Sequence, residues 1–265
     1  MLIDTHCHLD AGEFDHDRDQ VAKASLDADV RLIVVPAVER SNFGTVSQLA
    51  ECYAHCAYAL GIHPLFVPAA KEEDLGYLRT AIEQGNPVAV GEIGLDFFVE
   101  GYDRERQEYF FIEQLKLARE FELPVILHVR RSVDDVLKYL RRIKVNGGIA
   151  HAFNGSRQQA DAFIKLGFKL GFGGAMTYPR ALKIRDLAIH LPLEAIVLET
   201  DSPDIPPEWL GHHGRNSPYE LPKIAQVLAD LRQINLTQVA DTTTKNALNA
   251  LPKLAQLCTP PHVLL

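Results

Sequence analysis

The chain has 265 residues, a mass of 29.5 kDa and 47% hydrophobic side chains, which suffices for one large α/β domain or two small ones and excludes a wholly disordered chain. Its longest uninterrupted apolar run, residues 32–38, is far shorter than the roughly 20 residues that cross a bilayer, so we expect no membrane segment. A net charge of −8, from 35 acidic and 27 basic side chains, disfavours a protein that coats nucleic acid nonspecifically.

The amino terminus and the cysteines indicate the compartment. The first residues contain neither a basic segment nor a small-residue cleavage site, so nothing points to secretion. The four cysteines have no zinc-finger spacing, and a chain of this length does not need disulfides to fold. We therefore expect a cytoplasmic protein with reduced thiols, and no feature indicates an obligate protein partner.

In chain order, the sequence alternates short apolar runs with longer amphipathic stretches. The apolar runs predict eight strands, at residues 2–5, 32–36, 57–61, 88–91, 124–127, 148–150, 169–173 and 195–198. The amphipathic stretches predict helices at residues 18–27, 43–54, 73–83, 104–121, 133–142, 157–166, 181–189, 219–231 and 236–251.

The strands are apolar at successive positions, which is typical of a parallel sheet covered on both faces. Eight strand–helix units in about 250 residues favour a (β/α)8 TIM barrel. A doubly wound open sheet is the alternative, but no Gly-x-Gly-x-x-Gly follows the first strand. No segment marks a domain boundary, so we expect one domain over residues 1–265, with the proline-rich tail 259–265 peripheral.

The first and fourth strands are followed by candidate metal ligands. In a TIM barrel the active site forms at the carboxyl ends of the strands. After the first strand, His6 and His8 are two residues apart, so in extended chain both imidazoles point to one side. The fourth strand is predicted to end before Glu92, a carboxylate that needs a positive partner or a metal if it is buried.

Three later strands deliver further candidates at the same end. His128 follows the fifth strand, His151 the sixth and Asp201 the eighth. Singly, each histidine is typical of a core residue bonded to a backbone carbonyl, and Asp201 is typical of a cap. Jointly, four histidines and two acids at the ends of five strands predict a metal centre.

Six ligands exceed the four that a single structural zinc takes, and Glu92 is able to bridge. The set therefore predicts two divalent metal ions roughly 3.5 to 4 Å apart. Imidazole with carboxylate suits Zn, Mn, Co, Fe or Ni, and Mg becomes possible with a phosphate substrate.

The same residues lie in blocks that resemble the TatD family of metal-dependent hydrolases, within the amidohydrolase-like barrels. The resemblance covers nearly the whole chain, in the segments DTHCHLD (4–10), GIHP (61–64), GEIGLD (91–96), QLKLA (114–118), LPVILH (123–128), HAFNGS (151–156), LETDSP (198–203) and GRNSP (214–218). Two segments depart from many relatives: Ser-Pro-Asp follows Asp201, and residues 173–178 read GGAMTY.

The resemblance implies a metal-loaded barrel with nuclease activity. It implies one metal position at His6, His8, Glu92 and Asp201, and a second at Glu92, His128 and His151. Characterised members look like magnesium-stimulated deoxyribonucleases, acting as 3′ to 5′ exonucleases on single-stranded DNA or RNA. The expected partner is therefore nucleic acid as substrate, most simply single-stranded DNA.

For a phosphodiester substrate, the ligand set suggests hydrolysis by a two-metal-activated water. Glu92 would bridge the metals, and Asp201 would orient the water and accept its proton. His63 follows the third strand and is not needed as a ligand, so we predict a contact to phosphate or to the leaving oxygen. The alternative is a structural histidine beside Pro64.

Four residues are predicted to contact the substrate. Arg215 and Asn216 follow the eighth strand, and a guanidinium fork matches phosphate geometry. Arg130 would help to make the mouth positive, and Tyr178 could stack on a base. The alternatives are a plain surface loop for Arg215 and Asn216, and packing for Tyr178.

Two other functions use the same ligands. A hydrolase of a small amide, lactone or phosphoester substrate needs almost the same centre, although many such barrels bridge their metals with a carboxylated lysine on the fourth strand, where this chain has Glu92. A noncatalytic metal-loaded scaffold is the third possibility, and it does not require an open centre. The sequence favours phosphodiester hydrolysis.

Overall fold

The computed structural model describes residues 1–257, so the predicted peripheral tail at 259–265 lies outside the described residues. Eight strands alternate with helices. The strands are β1 (Leu2–Asp4), β2 (Val30–Pro36), β3 (Cys56–Ala59), β4 (Val90–Asp96), β5 (Val125–Arg130), β6 (Gly148–Ala150), β7 (Phe168–Phe172) and β8 (Ile196–Leu198). The helices are α1 (Arg18–Asp27), α2 (Phe43–Cys52), α3 (Glu73–Gln84), α4 (Arg104–Glu120), α5 (Val133–Arg142), α6 (Arg157–Lys165), α7 (Leu182–His190), α8 (Leu221–Arg232) and α9 (Leu236–Ala250).

The strands form a closed parallel barrel. Strands β1 to β3 pair in order, and β4 to β8 pair in order, all in parallel. A bridge between Leu60 and Val90 joins β3 to β4. The amide of Thr5 donates to the carbonyl of Leu198 at 3.1 Å and joins β8 to β1. This arrangement confirms the predicted TIM barrel.

Two apolar cores hold the barrel. Alternate strand residues such as Ile3, Val34 and Ile126 pack together inside it with the last turn of α9. Thr244 of α9 donates to the carbonyl of Met1 at 3.1 Å, so this helix covers the amino-terminal ends of the strands. The carboxyl-terminal ends stay open, which is where the polar residues collect.

The outer core lies between the strands and the surrounding helices. Helix α5 shows why these segments are helical: Val136, Leu137 and Leu140 are buried at helical spacing, with acidic residues in its first turn and arginines in its last. Fully burying one such leucine contributes about 1.5 to 3 kcal/mol. None of the helices in residues 1–257 is long and apolar enough to span a bilayer.

Two strands, β4 and β5, continue three or more residues past their predicted ends, and both carry site residues. Strand β4 runs on to Asp96, so Glu92 lies within the strand and does not follow it. Strand β5 runs on to Arg130, so His128 also lies within a strand. The prediction placed strand ends where polar residues begin. These polar residues instead continue the ladder, because the amide of Phe97 still donates to the carbonyl of Arg130.

Candidate metal centre

The first and last strands bring three candidate ligands together. His6 and His8 follow β1, and Asp201 follows β8, its neighbour in the closed barrel. The amide of Asp201 donates to the carbonyl of His6 at 2.8 Å, and the amide of His8 donates to the carbonyl of Ser202 at 2.8 Å. Asp201 has a left-handed backbone with φ of 57°. Such strain is typical of functional positions, and here two cross-strand hydrogen bonds hold it.

One group of donor atoms surrounds Oε2 of Glu92. Nε2 of His6 lies 3.1 Å from this oxygen, 3.4 Å from Nε2 of His8 and 3.5 Å from Oδ1 of Asp201. Nε2 of His8 lies 3.8 Å from Oε2 of Glu92 and 3.8 Å from Oδ1 of Asp201. A tetrahedral ion with bonds of about 2.1 Å keeps its ligand atoms roughly 3.4 Å apart. The spacing of these four atoms therefore fits a metal ion.

A second group surrounds the other oxygen of the same carboxylate. Oε1 of Glu92 lies 3.0 Å from Nδ1 of His128, 3.5 Å from Nε2 of His151 and 3.5 Å from Nε2 of His63. Glu92 is 2% exposed. The ion-pair partners recorded for it in the described residues are all imidazoles, with no lysine or arginine. A buried carboxylate whose ion-pair partners are all imidazoles lacks a permanent positive partner, which a divalent cation would supply.

The predicted metal ligands are therefore brought together. Every three-residue group of candidate ligands in the described residues draws on this cluster, with donor atoms within 4.8 Å of one another. The groups are His6, Glu92 and His151; His6, His8 and Asp201; and His63, Glu92 and His128. The donor set fits a metal bound by nitrogen and oxygen, and it includes His63, which the sequence argument did not require as a ligand.

The contacts of His63 favour a role as a hydrogen-bond donor over a role as a metal ligand. Its Nδ1 accepts a hydrogen bond from the amide of Leu65 at 3.2 Å. A neutral imidazole that accepts through Nδ1 carries its proton on Nε2. Nε2 then has no lone pair for a metal and points an N–H toward Glu92. Burial lowers the pKa of His63 to about 3, so the ring is neutral.

Two buried carboxylates contact the ring nitrogens of His128 and His151 that do not face Glu92. Nε2 of His128 lies 2.9 Å from Oδ2 of Asp96. Nδ1 of His151 lies 3.4 Å from Oε1 of Glu199, which also accepts the amide of Ala152 at 2.5 Å. Such carboxylates fix the ring orientation and tautomer of a ligating histidine. Neither Asp96 nor Glu199 was predicted to have a role.

The titration of the cluster reflects burial and close charges. Burial lowers the pKa of His6 to about 3 and raises that of Asp201 to about 6. Burial also opposes ionisation of Glu92, yet the imidazoles of His6, His63 and His151 hold its pKa well below the usual range. Burial alone would lower the pKa of His151, but Asp201, Glu199 and Glu92 raise it to about 10. Burial alone would also lower the pKa of His128, but hydrogen bonds to Asp96 and Glu92 raise it.

Two predicted substrate contacts have structural partners instead. Asn216 is fully buried, and its amide donates to the carbonyls of Thr200 at 2.8 Å and Asp204 at 3.0 Å. Arg215 forms a two-pronged ion pair with Asp17, at 2.8 and 2.6 Å, and also donates to the carbonyl of Glu13. These bonds tie Asn216 to its own loop after β8 and tie Arg215 to the segment before α1. These contacts favour a structural role for both side chains.

The other two predicted contacts are more accessible. The guanidinium of Arg130 is half exposed and stacks on Phe98, with Cζ 3.7 Å from the ring centre. Tyr178 stacks on His212 at 4.7 Å and donates its hydroxyl to the carbonyl of Pro206. Together with Arg180 and Glu208, this pair lines an open pocket of about 550 Å³.

The alternation of strand residues could have identified Asp96 from the sequence, but not Glu199. In β4, Glu92 and Asp96 are four positions apart and therefore face the same side, as the alternation of a strand requires. Glu199 needs a space that Gly171 leaves open, because a Cβ at that glycine would lie 2.1 Å from Oε2 of Glu199. The proximity of Glu199 to Gly171 can be seen only once β7 and β8 are aligned.

Comparison with known proteins agrees with the geometry that the chain has a metal centre. The family model described as "TatD related DNase" matches residues 3–252. The chain is 42% identical over 249 residues to the metal-dependent hydrolase YjjV of Escherichia coli, covering 92% of this chain and 95% of the relative. It is 32% identical over 269 residues to human deoxyribonuclease TATDN3, covering 97% and 96% of the two chains.

A solved structure extends the match to the fold. The crystal structure of YjjV, a TatD homologue from Escherichia coli, superposes with a TM-score of 0.91 at 41% identity, covering 95% of this chain and 98% of that one. The metal-dependent relatives agree with a ligand cluster at the open end of the barrel. The chain therefore belongs to the TatD family and is a metal-dependent hydrolase of the TatD type.

Proposed function

We propose that the protein is a deoxyribonuclease that hydrolyses phosphodiester bonds of single-stranded DNA, as a 3′ to 5′ exonuclease, with two divalent metal ions. The observation that carries the proposal is the Glu92 carboxylate. Its Oε2 faces His6 and His8, and its Oε1 faces His128 and His151. One carboxylate between two groups of imidazoles is the arrangement of a bridging ligand.

The residues divide between the two proposed ion positions. His6, His8 and Asp201 would hold one ion and His128 and His151 the other, with Glu92 common to both. Bound divalent ions lower the pKa of a water molecule and offset the negative charge on phosphoryl oxygens. Zn, Mn, Co, Ni and Mg all remain compatible with ligands of nitrogen and oxygen.

Asp201 is proposed as the proton acceptor. Its Oδ1 makes the contacts to His6 and His8. No hydrogen bond or ion pair to Oδ2 is recorded within residues 1–257, so that oxygen is available to accept a proton from the attacking water. The hydrogen bond from the amide of Asp201 to the carbonyl of His6 holds this residue at the cluster.

His63 is proposed to contact the substrate. The tautomer set by Leu65 gives His63 an N–H at Nε2 that points into the cluster. A neutral imidazole N–H donates to a phosphoryl or leaving oxygen without adding a charge. Asp96 and Glu199 would keep His128 and His151 oriented as ligands.

Tyr178 is proposed to stack on a base. Its ring and that of His212 are nearly parallel, with an angle of 7° between them, and both line the pocket beside Arg180. Stacking of a base on such a ring contributes about 1 to 3 kcal/mol.

The glutamate bridge favours phosphorus over a carbonyl carbon as the reacting atom. The alternative, an amide or lactone hydrolase, is associated with a carboxylated lysine on the fourth strand, and here that strand supplies Glu92. Relatives named deoxyribonucleases, such as human TATDN3, support the same choice.

The test is hydrolysis of end-labelled single-stranded DNA by the metal-loaded protein, with Glu92→Gln as the matched variant. We expect a ladder of products from the wild type, its loss with a chelator, and no ladder from Glu92→Gln. A label at the 5′ end that survives as progressively shorter fragments would support 3′ to 5′ polarity. Intact DNA, together with turnover of a lactone, amide or small phosphoester, would overturn the proposal.

A further inference from the structure

An exposed aromatic ring lies against two arginines beside the metal centre. The side chain of Phe98 is 46% exposed. Cζ of Arg130 lies 3.7 Å from its ring centre, and Cζ of Arg131 lies 4.5 Å from it. We call these three residues the Phe98 cluster. They come from the ends of two neighbouring strands, β4 and β5.

A single carboxylate connects the Phe98 cluster to the metal centre. Oδ1 of Asp96 accepts the amide of Phe98 at 2.9 Å, and Oδ2 lies 2.9 Å from Nε2 of His128. Oδ2 also lies 4.0 Å from Nη1 of Arg130. The Phe98 cluster thus begins one side chain away from a candidate metal ligand, at the open end of the barrel.

The positive charge of the Phe98 cluster is poorly compensated. Some other arginines have close carboxylates; Arg104 and Arg215, for example, have ion pairs of 2.5 and 2.6 Å. In the described residues Arg130 has only the 4.0 Å contact to Asp96, which His128 already occupies, and no ion pair is recorded for Arg131. Two guanidinium groups held on one ring repel each other, and a bound anion would relieve that repulsion.

The hydrogen-bonding capacity of both guanidinium groups is also free. Within residues 1–257 no hydrogen bond from either side chain is recorded, although each carries five N–H donors. Stacking against Phe98 restrains both groups while leaving these donors unused. A restrained, unpaired guanidinium suits a phosphate, which accepts two parallel hydrogen bonds.

We propose that the Phe98 cluster binds a phosphate of the substrate strand next to the bond that is hydrolysed. The proposal rests on the proposed function, and it identifies the substrate as a polyanion that extends beyond one phosphodiester. Arg130 and Arg131 bind the phosphate. Phe98 is a positioning residue that holds both guanidinium groups in place. The overall charge of −8 makes this local positive patch distinctive.

The test compares binding of a fluorescein-labelled, phosphorothioate-linked 12-mer of thymidine to metal-loaded wild type, Arg131→Gln, Phe98→Leu and Arg141→Gln. Arg141 is an exposed arginine in the last turn of α5 and supplies the matched control. Fluorescence anisotropy gives Kd over a range of salt concentrations. The ratio of KM for a thymidine 12-mer to KM for bis(4-nitrophenyl) phosphate gives a second readout.

We expect Arg131→Gln to raise Kd about fivefold and to lower the slope of log K against log salt by about one. The KM ratio should rise by about the same factor. Phe98→Leu should weaken binding with an unchanged salt slope, because both charges remain but are no longer held on the ring. Arg141→Gln should behave as wild type.

Each outcome separates this proposal from the proposed function. Equal Kd and salt slope for Arg131→Gln and Arg141→Gln overturn the phosphate site, whether or not DNA is cleaved. Weakened binding by Arg131→Gln in a protein that binds but never cleaves DNA supports the phosphate site and overturns the nuclease. If the wild type cleaves DNA but binds the 12-mer no better than Arg131→Gln does, the proposed nuclease activity is supported and the proposed phosphate site is overturned.

Discussion

Gly171→Ala is the substitution whose effect the structure specifies most fully. A Cβ at Gly171 would lie 2.1 Å from Oε2 of Glu199 and 2.6 Å from Oε1, whereas ordinary contacts begin at 3.4 Å. The Glu199 carboxylate must therefore retreat by roughly 1 Å in a fully packed interior. This movement breaks the contacts of the Glu199 carboxylate with the amide of Ala152 and with the ring of His151.

The magnitude follows from these two losses. Overpacking of an interior costs about 1 to 3 kcal/mol, and leaving a buried amide without its charged acceptor costs about 1.5 to 3 kcal/mol. We expect the free energy of unfolding of the metal-free protein to fall by about 3 kcal/mol. Because Glu199 orients His151, metal affinity should fall about 10- to 100-fold.

The assays are urea unfolding in the presence of a chelator and competition of the protein with a chromogenic chelator for Zn or Mn. Gly76→Ala is the matched control, since a Cβ there meets nothing within 4 Å inside helix α3. It should stabilise the protein by about 0.5 to 1 kcal/mol and leave metal affinity unchanged.

A double-mutant cycle tests the mechanism. In the Glu199→Ala background there is no carboxylate for the new Cβ to meet. Gly171→Ala should then lower the free energy of unfolding by less than about 1 kcal/mol. An equal cost of Gly171→Ala in both backgrounds would refute the contact with Glu199. Unchanged metal affinity in Gly171→Ala would refute the role of Glu199 behind His151.

Three further predictions concern the surroundings of the centre. Asp96→Asn should lower metal affinity about tenfold in the same competition assay, and an unchanged value would show that His128 does not depend on this carboxylate. Asn216→Ala should lower the free energy of unfolding by about 2 kcal/mol or more, because buried carbonyls lose their donor; a neutral result by urea unfolding would contradict the structural role. Arg215→Gln should lower the thermal midpoint but leave KM for single-stranded DNA within about twofold of wild type, and a large rise in KM would restore Arg215 as a substrate contact.

The alternation of strands and helices was predictable because it depends on local patterns. Each of the eight apolar runs becomes a strand, and α5 occupies the predicted residues 133–142. Strand ends were less predictable: Glu92 and His128 are polar, yet both continue their strands, because the open barrel end gives polar side chains partners within the cluster.

The cluster of ligand residues was predictable because residues at the carboxyl ends of parallel strands converge. The partners of Asn216 and Arg215 were not, because they depend on which distant backbone the loop meets. Asp17, for instance, precedes α1 and is 198 residues away from Arg215 in the sequence. The support of His151 by Glu199 likewise needs the alignment of β7 beside β8.

The most direct test of the account is anomalous diffraction from crystals of the wild type grown with Mn or Zn. The account predicts two strong peaks on either side of the Glu92 carboxylate, one bound by His6, His8 and Asp201 and the other by His128 and His151. A single peak, or peaks elsewhere on the protein with Glu92 bound to none, would contradict the bridging role on which the proposed chemistry depends.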